Sequence, residues 1–295
     1  MQDINQDALQ HVLNHPDLKV LQRVPFTGPN ENVNYPILLS EVVGDEIDVV
    51  ILDLETTGLK KDEHEIIELG LVKVSISPST GSIAKIYGCL SLFEQPSQPI
   101  TEEITKITGI TNEMVEGQKI GDSSVEQIFG NVALVIAHNA SFDRGFFDKR
   151  FPTLSNLPWA CSIKDMDWTA YGLEGNKLLY LLYQCGYFYE AHRADIDCIA
   201  TLRLFQSHEG SIKQILHKSL DNQIRIRCYF APYHVKDELK ERGYRWDTTV
   251  KSQGHWRVDV PEADFEAEMV WLRELCPKQA EKFRTEHLTR FNRYK

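Results

Sequence analysis

The stretch Val49-Val50-Ile51-Leu52-Asp53-Leu54-Glu55-Thr56-Thr57-Gly58 constrains this chain more than any other. Four apolar, mostly β-branched residues run into an acid. A second acid follows two places on, and Thr-Thr-Gly closes the run. That pattern predicts a buried strand ending in a turn. Residues i and i+2 of a strand point to the same side, so Asp53 and Glu55 set two carboxylates side by side at the strand end. Leu52 and Leu54 then point the other way, into the core. Neighbouring carboxylates repel and are costly to bury unpaired. A hard divalent cation between them resolves that cost; the alternative is a solvated strand end with two surface acids.

The flanking sequence extends the strand into a sheet. Residues 66–74 read as a second strand, 77–82 as a turn and 83–92 as a third strand, an antiparallel meander. From 99 to 129 the pattern is helical and loop-rich, with Thr101-Glu102-Glu103 as a helix start. Val132-Ala133-Leu134-Val135-Ile136-Ala137 is another buried strand, a helix begins near Ser141, and Trp159-Ala160-Cys161 is a last short strand. Helices follow over 176–185 and 193–208. A meander followed by strands alternating with helices predicts an α/β fold built on a mixed sheet. Ahead of this core, residues 1–46 read as a short amphipathic helix at 8–13 and an extended arm broken by Pro16, Pro25, Pro29 and Pro36.

The composition shifts near Gly210. Of the formal net charge of −11 on 295 residues, the part from Asp221 onward contributes 15 Lys and Arg against 13 Asp and Glu, a net +2. The net charge taken alone argues against a nonspecific nucleic-acid coat protein; an acidic catalytic part carrying metals and a mildly basic tail is one way to produce the split. The tail reads as a small α+β module. It has a strand at 224–230, a helix at 233–242 stopped by Gly243, a strand at 256–260 and a final helix opened by Pro261. The expected domains are therefore the arm (1–46), a catalytic domain (47–209) and an accessory module (221–295). No apolar run is long enough to cross a membrane, and the polar N-terminus lacks the basic region and apolar core of a signal peptide. Six scattered cysteines without a C-x-x-C pair fit reduced thiols, and the expected location is the cytoplasm.

Two further clusters bear chemistry. His138-Asn139-Ala140-Ser141-Phe142-Asp143 follows directly on the strand at 132–137, which places Asp143 at a helix start, where the helix dipole favours an anion. His192-Arg193-Ala194-Asp195-Ile196-Asp197 begins the later helix. His192 and Asp197 are five apart and share no regular helical face, so both reach one site only if His192 lies on the preceding loop. Taken alone, Asp143 reads equally well as a helix cap, His192 as a surface histidine, and Phe142 and Phe146 as core.

Taken together, Asp53-Leu54-Glu55-Thr56-Thr57-Gly58, His138-Asn139-x-x-Phe142-Asp143 and His192-x-x-x-x-Asp197 resemble, in order, the three motifs of the DEDDh family of 3′–5′ exonucleases. That family includes the proofreading subunit of bacterial DNA polymerase III, RNase T and oligoribonuclease. The resemblance covers residues 47–207. It implies an RNase H-like mixed sheet flanked by helices. It also implies a metal-dependent exonuclease releasing nucleoside 5′-monophosphates from the 3′ end of DNA, in repair or proofreading. The implied metal ligands are Asp53, Glu55, Asp143 and Asp197, holding two Mg²⁺ or Mn²⁺ ions, and His192 is the implied base. Thr56, Thr57, Leu59, His138, Asn139 and Phe142 are the implied substrate contacts. Where many members carry Asp-Thr this chain has Cys161-Ser162, which is expected to change a local hydrogen bond and leave the metal site intact. The implied partners are a nucleic acid with a free 3′ end, DNA before RNA, and polymerase or repair proteins. Two alternatives stand beside this reading: an exoribonuclease or small-oligonucleotide hydrolase, and a nuclease-like docking module.

In the tail, Lys240-Glu241-Arg242-Gly243-Tyr244-Arg245-Trp246 and Trp256-Arg257 interleave basic and aromatic residues. Such surfaces can meet phosphates and stack bases, which makes Lys240 and Arg245 candidate nucleic-acid contacts. The competing reading takes Tyr244, Trp246 and Trp256 as the core of a small module.

Overall fold

The computed structural model describes residue 12 and residues 15–25, 33–248 and 254–295. The chain divides into two compact units, Met1–Ser219 with Tyr294–Lys295, and Leu220–Arg293. The helix expected over 8–13 lies, apart from Val12, outside the described residues. Among the described residues no helix is long and apolar enough to cross a membrane. All six cysteines are free thiols.

In the first unit, two short strands, β1 (Gln22–Arg23) and β2 (Ile37–Leu38), precede β3 (Ile47–Thr56), β4 (Ile66–Ile76) and β5 (Ile83–Phe93). Strands β3 to β5 form the expected antiparallel meander. Three helices follow: α1 (Glu102–Thr108), α2 (Asn112–Val115) and α3 (Asp122–Phe129). The Thr101 side chain accepts from the Ile104 N–H at the start of α1, and left-handed Gly109 ends it, as capping chemistry requires. Then come β6 (Val132–Ala137), α4 (Ala140–Arg150), β7 (Trp159–Cys161), α5 (Leu178–Gln184), β8 (Tyr187–Phe188), α6 (Ala194–Gln206) and α7 (Ser211–Leu220).

Six strands make one mixed sheet in the order β2-β5-β4-β3-β6-β7, with β6 and β7 parallel to β3. This is the sheet expected of an RNase H-like core. The arm contributes β2 to its edge, while β1 pairs with β8. Because side chains alternate along a strand, β3 feeds two cores. Val49 and Ile51 pack with Cys198 and Leu202 of α6 on one face. Val50, Leu52 and Leu54 pack with Phe146 and Phe147 of α4 on the other. Gly210, at φ 80°, makes the turn between α6 and α7, and α7 adds Ile212, Ile215 and Leu216 to the first core. The amphipathic pattern of 211–220 thus belongs with the sheet, past the composition shift.

The second unit holds β9 (Gln223–Tyr229), α8 (Lys236–Glu241), β10 (Arg245–Asp247), β11 (His255–Pro261), α9 (Phe265–Leu275) and β12 (Arg284–Leu288). Its sheet runs β10-β11-β9-β12, antiparallel throughout. Pro261 ends β11 instead of opening the last helix, and a 3₁₀ turn at Glu262–Asp264 intervenes before α9. Strands β10 and β12 are short and charged, and carry no apolar alternation that a sequence reading can detect. Of the three aromatics weighed as core, Tyr244 and Trp256 are buried in it, while Trp246 sits at the sheet edge, 55% exposed.

Candidate active site

Strands β3 and β6 are parallel, so their carboxyl ends lie together, the place where open α/β sheets put ligand sites. Asp53 and Glu55 stand at that end of β3, on the face covered by α6. The β3–β4 register shifts between Glu55 and Thr56, a bulge of the kind that re-aims side chains beside active sites. Asp197 arrives from the first turn of α6 and Asp143 from the first turn of α4. Asp53, Glu55 and Asp197 each offer an oxygen within 4.8 Å of the others. Asp143 is buried, and its Oδ1 has no hydrogen-bond partner.

The close approach of α6 depends on Gly70 in β4. A Cβ there would stand 2.1 Å from the Ala194 carbonyl carbon, so only glycine lets the helix start meet the strand. The loop before α6 is fixed by Asp197 itself. Its Oδ2 accepts from the backbone N–H groups of His192 at 2.8 Å and Arg193 at 3.1 Å, and its Oδ1 from the Tyr189 hydroxyl at 3.0 Å. His192 holds a left-handed backbone, φ 69°, which ends the loop sharply. Its exposed side chain lies on that loop, close enough for its charge to be felt at Asp197.

Electrostatics follow from the crowding. Burial, then repulsion from Asp197, Glu68 and Asp143, pushes the Glu55 carboxyl up to about 8. Asp53 is raised well above the usual carboxylate range by burial and by Asp143, Asp197 and Glu55. Asp143 is raised by burial, against hydrogen bonds from backbone N–H groups. Asp197 is raised by burial, against the Tyr189, His192 and Arg193 donors. An all-oxygen set of four carboxylates, held up in this way and with one buried oxygen unpartnered, fits hard divalent cations.

The Exonuclease family model, RNase_T, matches residues 50–205, which contain all five of these residues. The chain belongs to that exonuclease family. Curated relatives are PolC-type DNA polymerases III. One from Halalkalibacterium halodurans is 39% identical over 108 residues, 35% of this chain and 7% of the relative. One from Caldanaerobacter subterraneus is 31% identical over 182 residues, 59% of this chain and 12% of the relative. The chain thus spans about a tenth of the length of such relatives. Among solved structures, Exonuclease X in complex with 5′ overhanging duplex DNA aligns with a TM-score of 0.42 and 23% identity, covering 58% of this chain and 98% of that one. The nuclease domain of 3′hExo, a DEDDh family member bound to rAMP, aligns with a TM-score of 0.39 and 18% identity, covering 53% and 90%.

The candidate site includes residues that the motifs did not point to. Tyr189 is one. Glu68 is another, directly opposite Glu55 in the β3–β4 register and fully buried. The sequence signal was there: Glu68 is the single acid within the apolar run Ile66–Gly70. Of the expected substrate contacts, Leu59 is 83% exposed at the mouth of the loop after β3. The Thr56 hydroxyl donates to the Gly58 carbonyl at 2.6 Å, and Thr57 exchanges bonds with Glu65, closing that loop. His138 donates from Nε2 to the Asn176 carbonyl at 2.8 Å and meets the Ser162 hydroxyl through Nδ1 at 3.2 Å, and burial lowers its pKa. Ser162 thus supplies the local hydrogen bond where the Cys-Ser pair departs from the common Asp-Thr. Asn139 precedes α4 as its cap, and half-buried Phe142 packs on Phe146 at 5.1 Å.

Proposed function

We propose that this exonuclease hydrolyses DNA from a free 3′ end, releasing nucleoside 5′-monophosphates, in repair or proofreading, with residues 47–209 as its catalytic domain. The observation that carries the reading is the convergence of Asp53, Glu55 and Asp197 within 4.8 Å, beside the unpartnered buried oxygen of Asp143. Two divalent ions, Mg²⁺ or Mn²⁺, held by these four carboxylates would supply Lewis-acid activation of the phosphate and of a water. The chain's own groups do the rest. His192, on an exposed loop beside Asp197, takes the proton of the attacking water, as a histidine near neutral pH can. The water oxygen bonds to phosphorus, the P–O3′ bond breaks, and the leaving 3′-oxygen takes a proton from solvent while His192 returns its proton to solvent. Tyr189 and the His192 and Arg193 N–H groups keep Asp197 aimed. Thr56, Thr57 and Leu59 border the terminal nucleotide from β3, and His138, Asn139 and Phe142 border it from α4. DNA is favoured over RNA because the curated relatives are by name DNA polymerases, which also makes a polymerase or repair complex the natural partner.

The test uses 5′- and 3′-labelled DNA and RNA oligomers with Mg²⁺, Mn²⁺ or EDTA. The expected result is a ladder shortening from the 3′ end of 5′-labelled DNA and release of a mononucleotide from 3′-labelled DNA, both abolished by EDTA. Faster cleavage of RNA replaces DNA as the substrate. A protein that cuts neither, with either metal, overturns the reading.

A further inference from the structure

One face of the second unit's sheet, on which His255 and Asp247 are buried and the arginines at the two edges are exposed, carries an arrangement that the candidate active site does not use. In the strand register, Arg245 pairs with Arg257, Arg257 with Arg227, and Arg227 with Arg284. Residues directly opposite one another share a face, so four arginines form one rung across all four strands. With strands about 4.8 Å apart, that rung is about 14 Å long. The helices lie elsewhere. Ile226, Cys228 and Trp256 point to the other face and form the core with Leu239 of α8 and Leu272 of α9.

Like charges directly opposite one another destabilise a sheet, so the rung needs compensation. It is only half compensated. Arg257 pairs with Asp247 at 2.7 Å and Arg227 with Glu286 at 2.6 Å. Those are the two central strands. At the outer edges and among the described residues, Arg245 has no ion pair, and Arg284 donates only to the backbone carbonyls of Glu281 and Phe283. Both edge arginines are exposed. A linear anion laid across the strands supplies the missing negative charge, and guanidinium forks match phosphate oxygens geometrically.

We propose that this arginine rung binds the phosphate backbone of a single nucleic-acid strand. The proposal rests on the reading of the chain as a nucleic-acid exonuclease and gives the second unit a substrate-holding role. Arg245 is thereby placed on the binding face. Lys240 is not, since its helix packs on the opposite face and its ammonium lies 3.9 Å from Asp237.

The test measures anisotropy of a labelled 30-nucleotide DNA strand with the full chain in EDTA, so that nothing is cut, between 50 and 200 mM salt. Arg245→Gln with Arg284→Gln removes two charges without orphaning a carboxylate. Lys236→Gln with Lys240→Gln removes two charges from α8 as the control. The rung pair is expected to lose about 5–10-fold in affinity and to flatten the logarithmic salt slope by about 1.4, at about 0.7 per phosphate contact. The control is expected to stay within a factor of two. Unchanged affinity and slope in the rung pair overturn the proposal and leave an acidic protein surface as the better occupant. Equal losses in both pairs overturn it as well, because charge alone then explains the binding. Hydrolysis of a dinucleotide by the unaltered chain in Mg²⁺ tests the exonuclease reading separately, since so short a substrate does not need the rung.

Discussion

Glu68 stands directly opposite Glu55 across the β3–β4 pair, wholly buried, with its two oxygens held by Arg193 through Nη2 at 3.2 Å and Nε at 3.3 Å. Two facing carboxylates repel, and a bidentate guanidinium offsets this. Arg193 directly follows His192, and its own N–H reaches Asp197. One arginine therefore ties β4 to the start of α6 and the loop that carries His192.

Arg193→Ala strips that charge from Glu68 while leaving its bonds from the Ser91 hydroxyl and the Ala194 N–H. Stability is expected to fall by about 2 kcal/mol. That is less than the 3–5 kcal/mol of a fully buried pair, because the arginine side chain is about one-third exposed. Adding Glu68→Gln removes the stranded charge, so the double variant regains most of the loss. Denaturant titration of the three proteins decides it. A double variant as unstable as Arg193→Ala means that the ion pair is not what the site relies on.

Gly70→Ala pushes a methyl group into the Ala194 backbone. Neither side can yield without moving α6, so both stability and turnover are expected to drop, turnover by at least tenfold. Gly88→Ala, in β5 with open space around its Cβ position, is the control and should be close to neutral. Thermal melts and initial rates for the pair read this out. Equal behaviour of the two variants removes the close-packing argument.

Without metal, the four carboxyls make stability depend on pH in a definite direction. Glu55 is raised from its ordinary 4.5 to about 8 in the folded chain. Between those values the native state binds more protons than the unfolded state, so stability falls as pH rises. The metal-free protein is expected to be less stable at pH 8 than at pH 5, with Mg²⁺ or Mn²⁺ restoring much of the loss at pH 8. Asp53→Asn removes one of the repelling charges, so it should flatten that slope, raise the metal-free melting temperature near pH 8 and abolish catalysis. Melting curves from pH 4.5 to 8, with EDTA and with metal, test this. Stability that rises with pH in EDTA contradicts it.

The strand carrying Asp53 and Glu55, the strand before Asp143 and the helix after His192 were legible because each combines a strong apolar period with a motif of fixed residue types. Tyr189 and the Gly70 contact were not, and Glu68 was legible only as a lone acid in an apolar run, not in its pairing with Glu55 and Arg193. Their roles come from register and from packing between elements far apart in sequence, which local periodicity does not encode. The arginine rung is the extreme case. Arg227, Arg245, Arg257 and Arg284 are spread over 58 positions, and two of them sit on strands too short and too charged to be read. Only the pairing register brings them onto one line.

His192 can be separated from the proposed metal ligands by experiment. Its left-handed backbone, φ 69°, would strain an alanine, whereas asparagine tolerates that region and cannot accept a proton at neutral pH. His192→Asn therefore keeps the loop and the backbone N–H that Asp197 accepts. Turnover is expected to fall about 10²–10⁴-fold, the usual contribution of a general base, with KM little changed. The rise in melting temperature on adding Mn²⁺ should match that of the unaltered protein, because none of the four carboxylates has moved. Asp197→Asn should lose both the rate and most of the metal-induced stabilisation. If His192→Asn turns over normally, the proton goes elsewhere. If it loses the metal-induced shift instead, His192 acts by holding Asp197 and not as the base.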